Sequence, residues 1–343
     1  MTRWACRIRN VPSLKEPTVF MRYVLHIGTN KTGTSTLQDY LGTQRPELLS
    51  LGIWYPEIGS FPYAHHDLAY AIKKDDFGAY GLSHDLITEG QAPAGATTTI
   101  ISSEAFHTIR DVESVAAIFP PDRTTVVLYL REHLSYLASW YREAAQARDI
   151  TCSFFDFAQI FGYSLSEMAD RWSAVYGKNF HVRQYERDKL VNRDIVSDFF
   201  ATAFNMPPPI IRDFQDRNPS ISGNLLFLKL VLNHFLTPDD NKAIIHELST
   251  MATLEPRFGG KLFVSERDAK RVAHRHAQDR RDLKQRHGIV FTPVREGMEG
   301  NKSPDMATLR DDIALMVEIS KARDFNFERV LLKNLDLLTP GPR

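Results

Sequence analysis

The segment "HIGTNKTGTSTLQDYL" (26–41) gathers a lysine, two glycines and a run of hydroxyl residues between an apolar stretch and a helical pattern. Those residue types hold phosphate. A helix start presents free backbone N–H groups, and its dipole favours an anion there. Gly33 would admit close backbone approach, Thr32, Thr34, Ser35 and Thr36 offer hydroxyl donors, and Lys31 adds a positive charge. The commonest nucleotide loop reads G-x-x-x-x-G-K-[ST]. Here Thr34 follows Gly33 and the lysine comes before the glycine. A metal-dependent nucleotide site also needs an acid at a neighbouring strand end to hold its metal. The apolar run "TTVVLYL" (124–130) leads instead into Arg131, with Glu132 after it. A cation leaving the strand first points to a second bound anion rather than to magnesium. Arg131 carries a planar fork suited to phosphate, and Ser135 and Ser139 follow four apart, on one helix face. The competing account is plain: a hydroxyl-capped helix with a surface lysine, and an arginine paired with Glu132.

These residues need a frame. "RYVLHIG" (22–28), "GIWYP" (52–56), "TTTIIS" (97–102), "TTVVLYL" (124–130) and "NFHVRQY" (179–185) read as strands. Helical patterns occupy 34–50, 135–147 and both flanks of the fifth strand. The alternation predicts a parallel sheet covered by helices on both faces, a three-layer α/β/α domain of the P-loop NTPase kind. Past the proline-rich stretch 205–220 the pattern turns helical, near 222–235, 239–250, 265–286 and 306–320. We expect one domain over 21–335 with a helical C-terminal portion, and a disordered extension over 1–20, Met21 standing directly before the first strand.

With this order of segments, "NKTGTSTLQ" resembles the phosphosulfate-binding loop of the sulfotransferases that use 3′-phosphoadenosine-5′-phosphosulfate (PAPS). "YLREHLSYLASWYRE" is similar to that family's second motif, in which a strand-terminal arginine and a helical serine eight positions later hold the 3′-phosphate; Arg131 and Ser139 match in type and spacing. "QYERD" resembles its Tyr-Glu segment, which places Tyr185 near the adenine. The resemblance covers roughly residues 21 to 235 and implies sulfuryl transfer from PAPS to an acceptor hydroxyl, on a carbohydrate, a glycolipid or a small molecule, with no metal. Two departures stand out. Glu132-His133 replaces the Asp/Asn-Pro that many members have after the arginine, and Thr36 replaces a tryptophan of the members acting on small aromatic molecules. The loop is closer to the carbohydrate-directed and bacterial branches.

Sulfuryl transfer is an in-line displacement at sulfur, in which positioning and charge stabilisation dominate. Lys31 would neutralise the departing phosphate, and the acceptor must lose a proton to a base. His65 and His66 follow the second strand and Glu104 the third, both on the carboxyl edge of a parallel sheet. We place His66 narrowly ahead of Glu104 as the base, because imidazoles titrate near neutrality. Glu104 could instead orient His66 or Lys31. The rival readings are a metal-dependent phosphotransferase or nucleotide kinase with a degenerate loop, and a non-catalytic nucleotide-binding protein. Loops 56–64 and 75–96 are expected to line the acceptor site.

The totals set bounds. The chain has 343 residues, 43% of them hydrophobic, and its 42 basic residues balance 42 acidic ones, so no global field recruits nucleic acid or a membrane surface. The basic stretch 265–288 carries interspersed acids, as a solvated helix face does. Cys6 and Cys152 have no metal or redox spacing, no run approaches a spanning helix, and residues 1–20 lack a secretory apolar core, so the expected location is cytoplasmic. Oligomeric state is not legible.

Overall fold

Five strands, Arg22–His26 (β1), Ile53–Trp54 (β2), Thr98–Ser102 (β3), Thr124–Leu130 (β4) and Phe180–Gln184 (β5), form one sheet in the order β2-β3-β1-β4-β5, with every neighbouring pair parallel. The structure is a computed structural model that describes residues 21–82, 92–160, 164–210, 220–292 and 297–335. The expected extension over 1–20 lies outside the described residues, as do parts of the loops 75–96 and 205–220.

Helices Thr34–Thr43 (α1), Arg45–Ser50 (α2), His66–Lys74 (α3), Val112–Ile118 (α4), His133–Ala147 (α5), Phe154–Ile160 (α6), Leu165–Tyr176 (α7) and Ile195–Phe204 (α8) connect and flank the strands. Successive strand residues point to opposite faces, and both faces are apolar. Leu25, Ile101, Val126 and Leu128 pack with Leu68, Val115 and Trp172 of α3, α4 and α7. Val24, Ile100, Val127 and Tyr129 pack with Leu37, Tyr40, Val196 and Phe199 of α1 and α8. The result is the expected three-layer α/β/α architecture. The helix expected over 34–50 is two helices, because Pro46 cannot donate the backbone hydrogen bond that would continue α1.

Beyond residue 220 come Gly223–Leu232 (α9), Pro238–Leu254 (α10), Glu266–Arg275 (α11), Ala277–His287 (α12), Leu309–Ala322 (α13) and Phe327–Leu335 (α14). A third apolar cluster joins Leu134, Leu137 and Tyr141 of α5 to Leu225, Leu228, Ile244, Leu248 and Val272. Helix α5 thus links the sheet to the C-terminal helices. The helix expected over 265–286 breaks at His276, whose ring stacks on His133 with centroids 4.5 Å apart. Helix α14 was not anticipated. Among the described residues no helix is long and apolar enough to cross a membrane.

Candidate active site

Parallel pairing puts the carboxyl ends of β1, β3, β4 and β5 on one edge, with His26 level with Ser102 and Val127. The loop leaving β1 is tied down at both ends. Thr29 donates through its backbone N–H and its hydroxyl to the Tyr129 carbonyl, each at 3.2 Å, and the buried Thr32 hydroxyl donates to the Thr29 carbonyl at 2.6 Å. That commits Thr32 to loop shape; the hydroxyl expected to meet phosphate points inward. Lys31 (φ 66°) and Gly33 (φ 75°) both adopt left-handed backbone conformations, and no side chain caps α1. The helix start is therefore left open to an anion. Ser35 is exposed and Thr36 half-buried beside it, while Thr34 is buried.

Gly33 is required for a second reason. A Cβ at this position would lie 2.9 Å from the Tyr185 ring and hydroxyl, so Tyr185, just past β5, closes over the loop. The Lys31 ammonium does not reach back over the loop; it pairs with Glu143 of α5 at 2.6 Å.

Arg131 turns from the end of β4 onto the same loop and donates to the Lys31 carbonyl at 3.0 Å. Burial holds its guanidinium below the usual value, partly offset by Tyr185 and Glu132. The expected alternative partner, Glu132, faces elsewhere: it caps α5 by accepting from the Ser135 N–H at 2.9 Å and pairs with Arg280 of α12. Ser139 is buried one helical turn beyond Ser135. Arg142 follows three residues later and bonds the Gly260 carbonyl; burial, with repulsion from Arg131, lowers it to about 10.

The two candidate bases meet. His66 Nε2 and Glu104 Oε1 are 3.9 Å apart, with side chains 36% and 19% exposed. The other His66 nitrogen lies 2.8 Å from the hydroxyl of Ser103, and that hydroxyl already accepts from the Ala105 N–H. Gln38, on α1 one turn past Thr34, donates to Glu104 Oε2 at 2.9 Å. Sequence reasoning missed Ser103 and Gln38; the signal for Gln38 was its place four residues after Thr34, on the face that α1 turns inward. Lys31 and Glu104 are not paired with each other. His65 serves structure: it is fully buried, takes the Ser102 N–H at 3.2 Å and approaches the Pro56 carbonyl at 3.1 Å. Burial lowers His65, and likewise His26 and His107, to about 4, so a layer of neutral imidazoles underlies the pair.

A separate cluster sits at the start of α5, where His133, His276 and Asp279 offer ligand atoms within 4.8 Å of one another. The Asp279 carboxylate already accepts from Ser164 Oγ, the Leu165 and Ser166 N–H groups and His133 Nε2, at 2.7–3.0 Å. These bonds cap α7 and fasten α12 to α5.

No protein-family profile and no curated protein matches the chain. Among solved structures it is similar to the crystal structure of a sulfotransferase from Alicyclobacillus acidocaldarius, with 18% identity and a TM-score of 0.36, over 66% of this chain and 96% of that one.

Proposed function

We propose that the chain is a PAPS-dependent sulfotransferase acting on an acceptor hydroxyl of a carbohydrate or glycolipid, with residues 21–335 working as one unit. The observation that carries this reading is the strand-end Arg131 bonded to the Lys31 carbonyl. It joins a half-buried guanidinium to an uncapped helix start, two anion-binding devices in contact, at the position where a metal-dependent phosphotransferase needs an acid. In this assignment the first turn of α1, with Ser35 and Thr36, takes the 5′-phosphosulfate. Arg131 and Ser139 take the 3′-phosphate, and Tyr185 borders the adenine.

The Ser103 hydroxyl, buried and already accepting from Ala105, has His66 Nδ1 as its outlet for a proton. With Ser103 Oγ as the donor in this contact, the His66 proton sits on Nε2, facing the Glu104 carboxylate across 3.9 Å. An acceptor oxygen placed between them would accept from His66 Nε2 and donate to Glu104. Glu104, held by Gln38, then takes the proton as the acceptor oxygen bonds to sulfur and the sulfur–oxygen bond to the phosphate breaks. The order of His66 and Glu104 expected from sequence is thereby exchanged. Lys31, released from Glu143, would balance charge on the departing phosphate.

The test is ligand-induced stabilisation. Adenosine 3′,5′-bisphosphate should raise the melting temperature in EDTA as much as in magnesium. A larger, magnesium-dependent shift with ATP would replace this reading with the phosphotransferase one.

A further inference from the structure

Helix α3 leads away from the His66–Glu104 pair, and one of its faces carries a row of rings. His66, Tyr70 and Lys74 are spaced four apart and share that face, while Leu68, Ala69 and Ile72 are buried against the sheet. The His66 and Tyr70 rings lie 6.4 Å apart with planes 34° from parallel; Tyr70 and Tyr80 repeat the arrangement at 6.4 Å and 31°. Tyr80 ends the short turn Gly78–Tyr80, and the Lys74 ammonium sits 5.3 Å from its ring centroid. Tyr40, Tyr55 and Tyr129 are almost wholly buried, whereas Tyr70 is 40% exposed. The row follows the first loop expected to line the acceptor site, 56–64, and ends at Tyr80 within the second, 75–96.

The chemistry of the row selects its ligand. The charged side chains around it, Asp67, Lys73, Asp75 and Asp76, are exposed, which breaks up any continuous apolar groove a lipid tail would need. A flat aromatic acceptor would use one ring and leave the others idle. Pyranose rings present C–H faces to aromatic planes and hydroxyls to polar neighbours, and a chain of them matches a row. Each step of four residues along the helix rises about 6 Å, so His66 to Lys74 spans roughly two pyranose repeats.

We propose that Tyr70, Tyr80 and Lys74 form an acceptor platform for an oligosaccharide, whose reacting hydroxyl lies at the His66–Glu104 end and whose further rings lie along α3. The assignment of a reacting end rests on the sulfotransferase reading; the platform itself does not.

The experiment uses the full chain with maltotetraose, cellotetraose, chitotetraose and tetragalacturonate, and the corresponding monosaccharides. Saturation-transfer NMR in the presence of adenosine 3′,5′-bisphosphate reads binding, and transfer of labelled sulfate from PAPS reads turnover. At least one tetrasaccharide should bind about tenfold or more tightly than its monosaccharide, and Tyr70→Ala should remove most of that gain. The variant should keep the wild-type melting shift with bisphosphate. Equal binding of short and long glycans, or an unchanged tetrasaccharide affinity in both Tyr70→Ala and Tyr80→Ala, overturns the platform. Failure of the bisphosphate to bind overturns the sulfotransferase reading instead, and NMR binding of the tetrasaccharides still judges the platform.

Discussion

Replacing Arg131 with alanine should produce two losses that a pair of ligands can separate. The guanidinium donates to the Lys31 carbonyl at 3.0 Å, and Lys31 sits at φ 66°, a conformation its side chain disfavours by about 1–2 kcal/mol. Without that bond the loop relaxes, and every ligand of the loop weakens by a similar amount. A charge-assisted bond to a partly buried carbonyl is worth about 1.5–3 kcal/mol, which sets the upper limit of this shared loss. The second loss belongs only to ligands with a 3′-phosphate, again about 1.5–3 kcal/mol, or roughly 10- to 150-fold in affinity. Calorimetric titration of wild type and Arg131→Ala with adenosine 3′,5′-bisphosphate and with adenosine 5′-monophosphate closes the cycle. The monophosphate reports the shared loss, and the excess loss for the bisphosphate is the 3′-phosphate term. Arg131→Lys keeps the charge without the fork and should recover part of that excess. Equal weakening of the two nucleotides would mean that Arg131 only braces the loop, and the 3′-phosphate assignment would fall.

Four further outcomes are expected. Gly33→Ala forces a Cβ to within 2.9 Å of Tyr185 at φ 75°, so the melting temperature should drop with at least the about 1–2 kcal/mol of a left-handed alanine, and bisphosphate affinity should fall with it. Glu143→Gln frees Lys31 from a partner that is 53% exposed; bisphosphate affinity should rise by about two- to fivefold at low salt and return to the wild-type value at high salt. Glu104→Gln should cut turnover by roughly 10²–10⁴ with nucleotide affinity intact, and His66→Ala should cost less than Glu104→Gln; the reverse ranking in steady-state kinetics would return the base to His66. Lys229 is buried in the α5–α9 interface, where desolvation lowers it to about 7 from 10.5. Between those values the unfolded chain binds more protons than the folded one, so denaturant stability should rise with pH from 7 toward 10.5, by at most about 1.4 kcal/mol per unit, relative to Lys229→Met.

The sheet was legible because its strands are continuous apolar runs bounded by turn residues. β4 matches its expected limits, Thr124–Leu130, to the residue, since both its faces are covered and every position must be apolar or small. Boundaries failed where a local signal competed with periodicity. Pro46 splits an otherwise unbroken helical pattern, and at His276 a ring recruited by His133 interrupts a charged helix that shows no breaker in its sequence. In the site, residue types and spacing brought together His66 with Glu104 and Arg131 with the lysine loop. Partner choice was not legible. Spacing suggests Glu132 for Arg131, but Glu132 instead meets Arg280, 148 positions away. Thr32 is buried inside its own loop, and Lys31 reaches a glutamate on another helix. Each of these depends on tertiary packing, which periodicity does not encode.

Those partner choices decide the sign of the site. Glu132 is committed to Arg280 and the α5 cap, and Glu143 meets Lys31. Glu104 takes Gln38 on one oxygen and faces His66 with the other. Asp198, under the same edge, accepts from Tyr129, Arg183 and the Val191 N–H. Against these committed carboxylates stand Arg131 and Arg142, whose described hydrogen bonds go to the carbonyls of Lys31 and Gly260 rather than to acids. Two guanidiniums close enough to repel and half withdrawn from water are held at a cost that an anion would offset. The open start of α1 adds partial positive charge beside them. A dianionic group bound there meets cations already desolvated and oriented, while Glu104, turned toward His66, is the carboxylate to which a hydroxyl would lose its proton in the proposed reaction. On the sulfotransferase reading proposed above, the anion would depart from sulfur on the side of Arg131 and the α1 start as the alcohol oxygen arrives from the side of His66 and Glu104.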